Sequence, residues 1–267
     1  MSRYVHGYSE REAERLHDQA GAVCDLLHHD TRYPPGSLVL EAGCGVGAQT
    51  VTLARQSEQA RFVSVDISPE SLEKARALAA GHGLRHVEFR QADLFALPFA
   101  EASFDHVFVC FVLEHLADPE GALACLGRVL KPGGTITVIE GDHGSCYFHP
   151  EGAAALQAWR CLVESQARLG GDSLIGRRLF PLLQQAGFQK VRVSPRVIYG
   201  DHSLPVLVDS FWGRTIIPMV EGVKEKALAM GLVDEERWRL GLRELHEVIE
   251  RKDGTFNYTF FKAVAVR

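Results

Sequence analysis

Leu38-Val39-Leu40-Glu41-Ala42-Gly43-Cys44-Gly45-Val46-Gly47-Ala48-Gln49-Thr50 is the stretch that decides the fold. Three apolar residues of a short buried strand run into an acid and then into glycines at alternate positions, and Thr50 to Arg55 suits a helix. The reading is strand, tight turn, helix. Glycine serves where a backbone takes unusual dihedrals or a ligand comes within contact of the main chain. The helix beyond such a turn offers it unpaired N–H groups.

Working outward, Arg61 to Asp66 is a second short strand ending in an acid. Ser68 and Pro69 supply an N-cap and a first helical residue for a helix to Ala80, closed by Gly81 and Gly83. Val87 to Arg90 reads as a third strand, followed by Gln91-Ala92-Asp93-Leu94 and a turn at Leu97-Pro98. Phe104 to Cys110 is the fourth, Asp118-Pro119-Glu120 caps a helix, Leu130-Lys131-Pro132-Gly133-Gly134 is a sharp stop, and Thr135 to Glu140 is the fifth. Upstream, the capping box Ser9-Glu10-Arg11-Glu12 opens an amphipathic helix expected from about Glu10 to His28. Such alternation specifies an α/β fold with a mostly parallel sheet covered on both faces. Ligands lie at the carboxyl ends of the strands of such sheets, where the winding reverses. The acids at those ends are Glu41, Asp66 and Asp93.

Two ligand classes use a turn of this kind. Gly43, Gly45 and Ala48 fit the dinucleotide spacing, and Asp66 lies about 20 residues further on, placed to hold a ribose. Glu41 tips the choice the other way, because a carboxylate two residues before the first glycine repels a pyrophosphate. S-adenosylmethionine (SAM) has no phosphate and carries an ammonium and a sulfonium.

Composition narrows the rest. The chain has 267 residues and a formal charge of −5. With no Lys/Arg cluster, this argues against a nucleic-acid partner and for a compact metabolite. No apolar run approaches the ~18 residues of a membrane span, and Met1-Ser2-Arg3-Tyr4-Val5-His6 lacks a signal-peptide core, so a cytoplasmic protein without a membrane partner is expected. The six cysteines form no C-x-x-C pair, and no pair of histidines sits at ligand spacing with a third partner, so no metal site is expected. A monomer or homodimer is expected.

With Asp93 reached, the sequence resembles the class I SAM-dependent methyltransferases, in particular the methyltransferase type 11 group that includes quinone-biosynthesis methyltransferases. The matching stretches are Leu40 to Gly47, Val65-Asp66, Ala92-Asp93 with Leu97-Pro98, Ser103-Phe104-Asp105, Val112-Leu113-Glu114-His115, and Arg128 to Gly134. They cover roughly residues 36 to 140. The resemblance implies a Rossmann-like, seven-stranded, mostly parallel sheet with helices on both faces and an added helical cap, with SAM as cofactor. It implies that Glu41 and the Gly43 to Gly47 backbone, Cys44 and Gly45 included, hold the methionine end. Asp66, followed by Ile67, would accept both ribose hydroxyls. Asp93 would accept from the adenine amine with Ala92 and Leu94 beside the ring, while Phe111 and Val112 line the sulfonium side. Apart from the resemblance, the aromatic tail Tyr4 to Tyr8 is expected to pack on something, either as a hydrophobic anchor or as a lid that brings Tyr8 over the cofactor. His115 is more naturally structural.

Beyond Glu140, Gly141 to Pro150 reads as a polar, aromatic loop. Gly152 to Arg168 and Leu179 to Ala186 read as helices, Gln189 to Val197 as a strand, Leu204 to Glu250 as helical, and Thr255 to Val266 as a closing strand. Phe211, Trp212 and Tyr199 are candidate pocket walls. His143 is the candidate general base, ahead of Asp142, Tyr147 and His149. The organisation expected is an N-terminal lid and helix (1–36), a SAM-binding core (37–141) and the remaining sheet with helical insertions (142–267). The function expected is methyl transfer from SAM to an O, N, S or C atom of a small, partly apolar molecule. The rivals are a non-catalytic SAM-binding regulator and a nicotinamide-dependent dehydrogenase.

Overall fold

The structure is a computed structural model and describes residues 23–267. The aromatic tail with Tyr8 and the first part of the amphipathic helix lie outside the described residues. The helix itself is present as α1, residues 23–28. There follow β1 (Leu38–Ala42), α2 (Ala48–Gln56), β2 (Arg61–Asp66), α3 (Pro69–Gly81), β3 (Val87–Gln91), β4 (Phe104–Cys110), α4 (Pro119–Val129) and β5 (Leu130–His149). Next come α5 (Ala153–Arg168), α6 (Leu179–Gln185) and β6 (Gln189–Asp201). The chain closes through α7 (Pro205–Leu207), a π-helical run Val208–Ile216, α8 (Ile217–Glu221), α9 (Lys224–Ala229), α10 (Glu235–Glu250) and β7 (Thr255–Val266). The strands form one seven-stranded sheet in the order β3-β2-β1-β4-β5-β7-β6. β1 pairs in parallel with β2 on one side and β4 on the other, so the winding reverses at β1.

The described residues fall into two compact units. One holds Cys24–Gly141, Ile175–Arg196 and Phe261–Arg267. Its core gathers Leu40, Val65, Val107 and Val138 from the strands with Leu123 and Leu126 of α4 and Leu179 and Leu183 of α6. Their spacing explains the choice: period two or continuous burial in the strands, i to i+3 or i+4 in the helices. Within the same unit the buried Lys262 ammonium donates to Leu27 O, Asp30 Oδ1 and Thr31 Oγ1, fastening β7 to the end of α1 and the turn after it.

The other unit holds Asp142–Leu174 and Val197–Phe260. α5 and α10 pack against each other so closely that a Cβ on Gly241 would stand 2.5 Å from Ala154 O. Phe211, Trp212, Phe256, Tyr258 and Phe260 form a buried aromatic cluster, with Trp212 and Phe256 centroids 4.9 Å apart. Phe211 and Trp212 are therefore packing residues, and Tyr199 is exposed.

Two boundaries differ from the sequence reading. β5 runs through the expected stop at Leu130 to Gly134 and on to His149, taking in all but the last residue of the expected loop at Gly141 to Pro150. Cys146 and Phe148 are buried while Tyr147 and His149 are exposed, which is strand alternation. Polar Asp142 and His143 disguised it, because both are buried. β6 likewise continues four residues past Val197.

Candidate functional site

The glycine turn is built by three left-handed residues: Gly43, Gly45 and Gly47 at φ +75°, +52° and +83°. Gly43 N and Cys44 N both donate to Val65 O, which ties the turn to the end of β2. Gly47 N closes it on Cys44 O, and Gly47 caps α2. The glycines are needed for different reasons. A Cβ on Gly43 would stand 2.5 Å from Val112 Cγ2, and one on Gly47 3.0 Å from Ala75. At Gly45 nothing lies within 4 Å of that position, so the turn opens there onto free space.

Asp66 closes on this opening. Its Oδ2 accepts from Gly45 N at 2.8 Å and its Oδ1 from Ser68 N at 2.9 Å, so the carboxyl is held at the mouth of the turn. Burial pushes it above the ordinary carboxylate range, against the pull of those N–H groups. Glu41 lies underneath, 2 % exposed, its Oε2 accepting from Thr50 Oγ1 at 2.7 Å and Ser64 Oγ at 2.6 Å. Burial lifts its pKa to about 7 despite both hydroxyls, and the charge of Asp66 adds to the rise. Cys44 is buried, and its thiol is pushed up first by burial and then by Glu41 and Asp66.

The neighbouring strand ends contribute the rest. Ala92 N donates to Asp66 O, which sets β3's exit beside β2's. Asp93 is exposed and caps the 3-10 turn Leu94–Ala96 through Phe95 N at 2.9 Å, with Leu94 buried and Ile67 half-exposed. Phe111, at φ +57°, and Val112 follow β4, and Val112 packs onto Gly43. Thus Glu41, Gly43, Cys44, Gly45, Gly47, Asp66, Ile67, Ala92, Asp93, Leu94, Phe111 and Val112 all belong to one compact unit, at or just past the carboxyl ends of β1, β2, β3 and β4.

His143 belongs to the other unit. It is buried, its Nδ1 lies 2.6 Å from Tyr258 Oη, and its backbone O accepts from Trp159 Nε1. Asp142 Oδ1 accepts from Gly144 N. Among the described residues no group of His, Cys, Asp or Glu is arranged to hold a metal ion.

Three participants escaped the sequence reading. Thr50 and Ser64 hold Glu41, and strand alternation could have revealed that Ser64, paired with Glu41 across β1 and β2, shares its face. Glu140, fully buried on β5, accepts from Val112 N and Leu113 N through Oε1. No local motif marks it.

The donor set fits SAM. Acids line the turn where a pyrophosphate would need cations, and the space at Gly45 leaves the main chain approachable. A family described as "Methyltransferase domain" matches residues 40–138. The O-methyltransferase cnsE of Penicillium expansum is 30% identical over 204 residues, which is 73% of this chain and 68% of that one. The chain belongs to the class I SAM-dependent methyltransferases. Within that family, the demethylmenaquinone methyltransferase of Thermus thermophilus is 39% identical over 102 residues, 38% of this chain and 46% of its own. The chain spans about half the length of the curated relatives it matches through this core. In fold it is similar to the Haemonchus contortus phosphoethanolamine N-methyltransferase 2 in complex with S-adenosyl-L-methionine, with a TM-score of 0.56 at 17% identity over 94% of this chain and 52% of that one.

Proposed function

We propose that the chain binds SAM at the carboxyl edge of β1, β2 and β3 and transfers its methyl group to a small, partly apolar organic molecule. The observation that carries this reading is the Asp66 carboxyl, anchored on Gly45 N and Ser68 N at the mouth of the glycine turn, with Glu41 buried below. Each Asp66 oxygen keeps acceptor capacity for a ribose hydroxyl. Asp93 accepts from the adenine amine, with Ala92, Leu94 and Ile67 along the ring and ribose. Glu41 and the Gly43 to Gly47 backbone take the methionine end, with Phe111 and Val112 toward the sulfur. Bound SAM supplies an electrophilic methyl on a sulfonium. The chain's own residues supply orientation, which is the larger part of the rate in an in-line displacement.

A base is required where the acceptor loses a proton, and His143 is the candidate for that task. The names of the relatives, a demethylmenaquinone methyltransferase and an O-methyltransferase, support a small organic acceptor. Residues 37–141 form the cofactor-binding core on this reading, and 142–267 complete the sheet and supply the helical insertions that serve the acceptor. No described helix is long and apolar enough to cross a membrane. Cys24, Cys44, Cys110, Cys125, Cys146 and Cys161 are unpaired, which suits the reducing cytoplasm. The working form is a monomer or homodimer, and no nucleic acid is required.

Incubation with methyl-labelled SAM and a panel of phenols, quinols and amines tests the reading. Label should pass to at least one acceptor class. Binding of SAM without transfer to any of them would indicate a binding protein, and failure to bind SAM would overturn the assignment.

A further inference from the structure

Glu140 is fully buried on β5, in the same compact unit as the glycine turn. Its Oε1 accepts from Val112 N at 3.0 Å and from Leu113 N at 2.7 Å. Among the described residues its Oε2 has no hydrogen-bond partner. The turn it holds is strained, since Phe111 sits at φ +57°, where a side chain costs about 1–2 kcal/mol. The next side chain, Val112, fills the space that a Cβ on Gly43 would need. Glu140 therefore braces the residue that packs against the first glycine of the cofactor turn.

A carboxylate buried with one oxygen bare loses its hydration on that side, so burial selects the neutral acid. Of the facing groups, Glu114 pushes the same way. Glu114 acts on it from the 3-10 turn Leu113–His115, and His115 Nε2 lies 3.6 Å from the Glu114 carboxyl. Cys110, at the end of β4, lies in the fields of Glu140, Glu41 and Glu114, and of Lys262 on β7. Burial first, and Glu114 second, hold the Glu140 carboxyl well above its ordinary range, while the Leu113, Val112 and Glu114 N–H groups pull it down.

We propose that Glu140, carried as the neutral acid, is a positioning residue that fixes the Phe111–Leu113 turn against Gly43, and that ionising it loosens this turn and with it the wall of the cofactor cleft. In the neutral acid the carbonyl oxygen takes both N–H groups. Once ionised, the carboxylate needs water, which only an opened turn admits, so the open state gains as protons leave. The turn itself does not depend on the cofactor reading; the effect on the cleft rests on it.

Amide hydrogen exchange at Val112 and Leu113, measured by NMR from about pH 6 to 10 and corrected for intrinsic rates, tests this in the wild type, Glu140→Gln and Glu140→Ala. Binding of S-adenosylhomocysteine is measured alongside by calorimetry. Wild-type protection should fall about tenfold or more with rising pH, and affinity should fall with it. Glu140→Gln keeps an acceptor oxygen and cannot ionise, so it should hold protection and affinity level across the range, whereas Glu140→Ala should lose protection throughout. A level wild-type profile, or the same fall in Glu140→Gln, would overturn the proposal. If no form binds S-adenosylhomocysteine while the exchange profiles separate as expected, the turn assignment stands and the cofactor reading fails.

Discussion

Glu41 is an acid kept out of water by its place at the end of β1, and the consequence is a measurable pH dependence. Its pKa stands near 7 in the folded chain against an ordinary 4.5. An acid raised in this way stabilises the fold fully below its unfolded value and loses that contribution as pH rises through the folded one. The cofactor-free protein should therefore lose about 3 kcal/mol through this group between pH ~4.5 and ~7. In Glu41→Gln, whose amide oxygen still accepts from Thr50 and Ser64, urea unfolding should show that part of the slope removed. A bound cation favours the ionised carboxylate, so SAM affinity should rise from pH ~6 to ~8 in the wild type and stay flat in Glu41→Gln. At His143 the expected outcome is kinetic. His143→Gln should lower turnover of a hydroxyl acceptor by about 100-fold, the typical share of a general base, without changing cofactor affinity. A variant that turns over normally would reduce His143 to a brace for Tyr258 and Trp159.

The glycine turn is one element, yet its positions answer to different forces. Gly43→Ala meets Val112 and forces a side chain into the left-handed region, so thermal or urea unfolding should register a loss of about 2–4 kcal/mol. Combining it with Val112→Ala removes the clash and should recover the packing part, leaving only the backbone strain. Gly45→Ala, facing open space, should lose only the backbone share of about 1–2 kcal/mol. It should nevertheless weaken cofactor binding, because the new methyl stands in the cleft. Loss of stability without loss of affinity at Gly45 would contradict that division. β5 carries a parallel lesson. Proline and glycines at Pro132, Gly133 and Gly134 and a polar run after Glu140 spell interruption, yet the strand continues. Gly134 is needed there because a Cβ would stand 2.7 Å from Asp105 O, a reason invisible without the neighbouring strand.

Across the whole molecule, β1 through β4 and β7 could be read from the sequence because their signals are local: apolar runs, an acid at the end, a glycine or a capped helix next. Asp66 was legible for the same reason, at the end of a run that could only be a strand. Glu140 was not, because its partners are the N–H groups of Val112 and Leu113, brought beside it by the pairing of β4 with β5. Thr50 and Ser64 were hidden likewise, as ordinary polar residues until the fold turned them onto Glu41. The dinucleotide alternative could not be removed by glycine spacing at all. It fell to Glu41's charge and then to membership of the methyltransferase family. Cofactor binding at Asp66 is tested most directly by calorimetric titration of the purified protein with S-adenosylhomocysteine, repeated with Asp66→Asn and with NADH. The expected result is saturable S-adenosylhomocysteine binding that weakens about 10- to 100-fold in Asp66→Asn, with no NADH binding. Saturable binding of NADH and none of S-adenosylhomocysteine would contradict it.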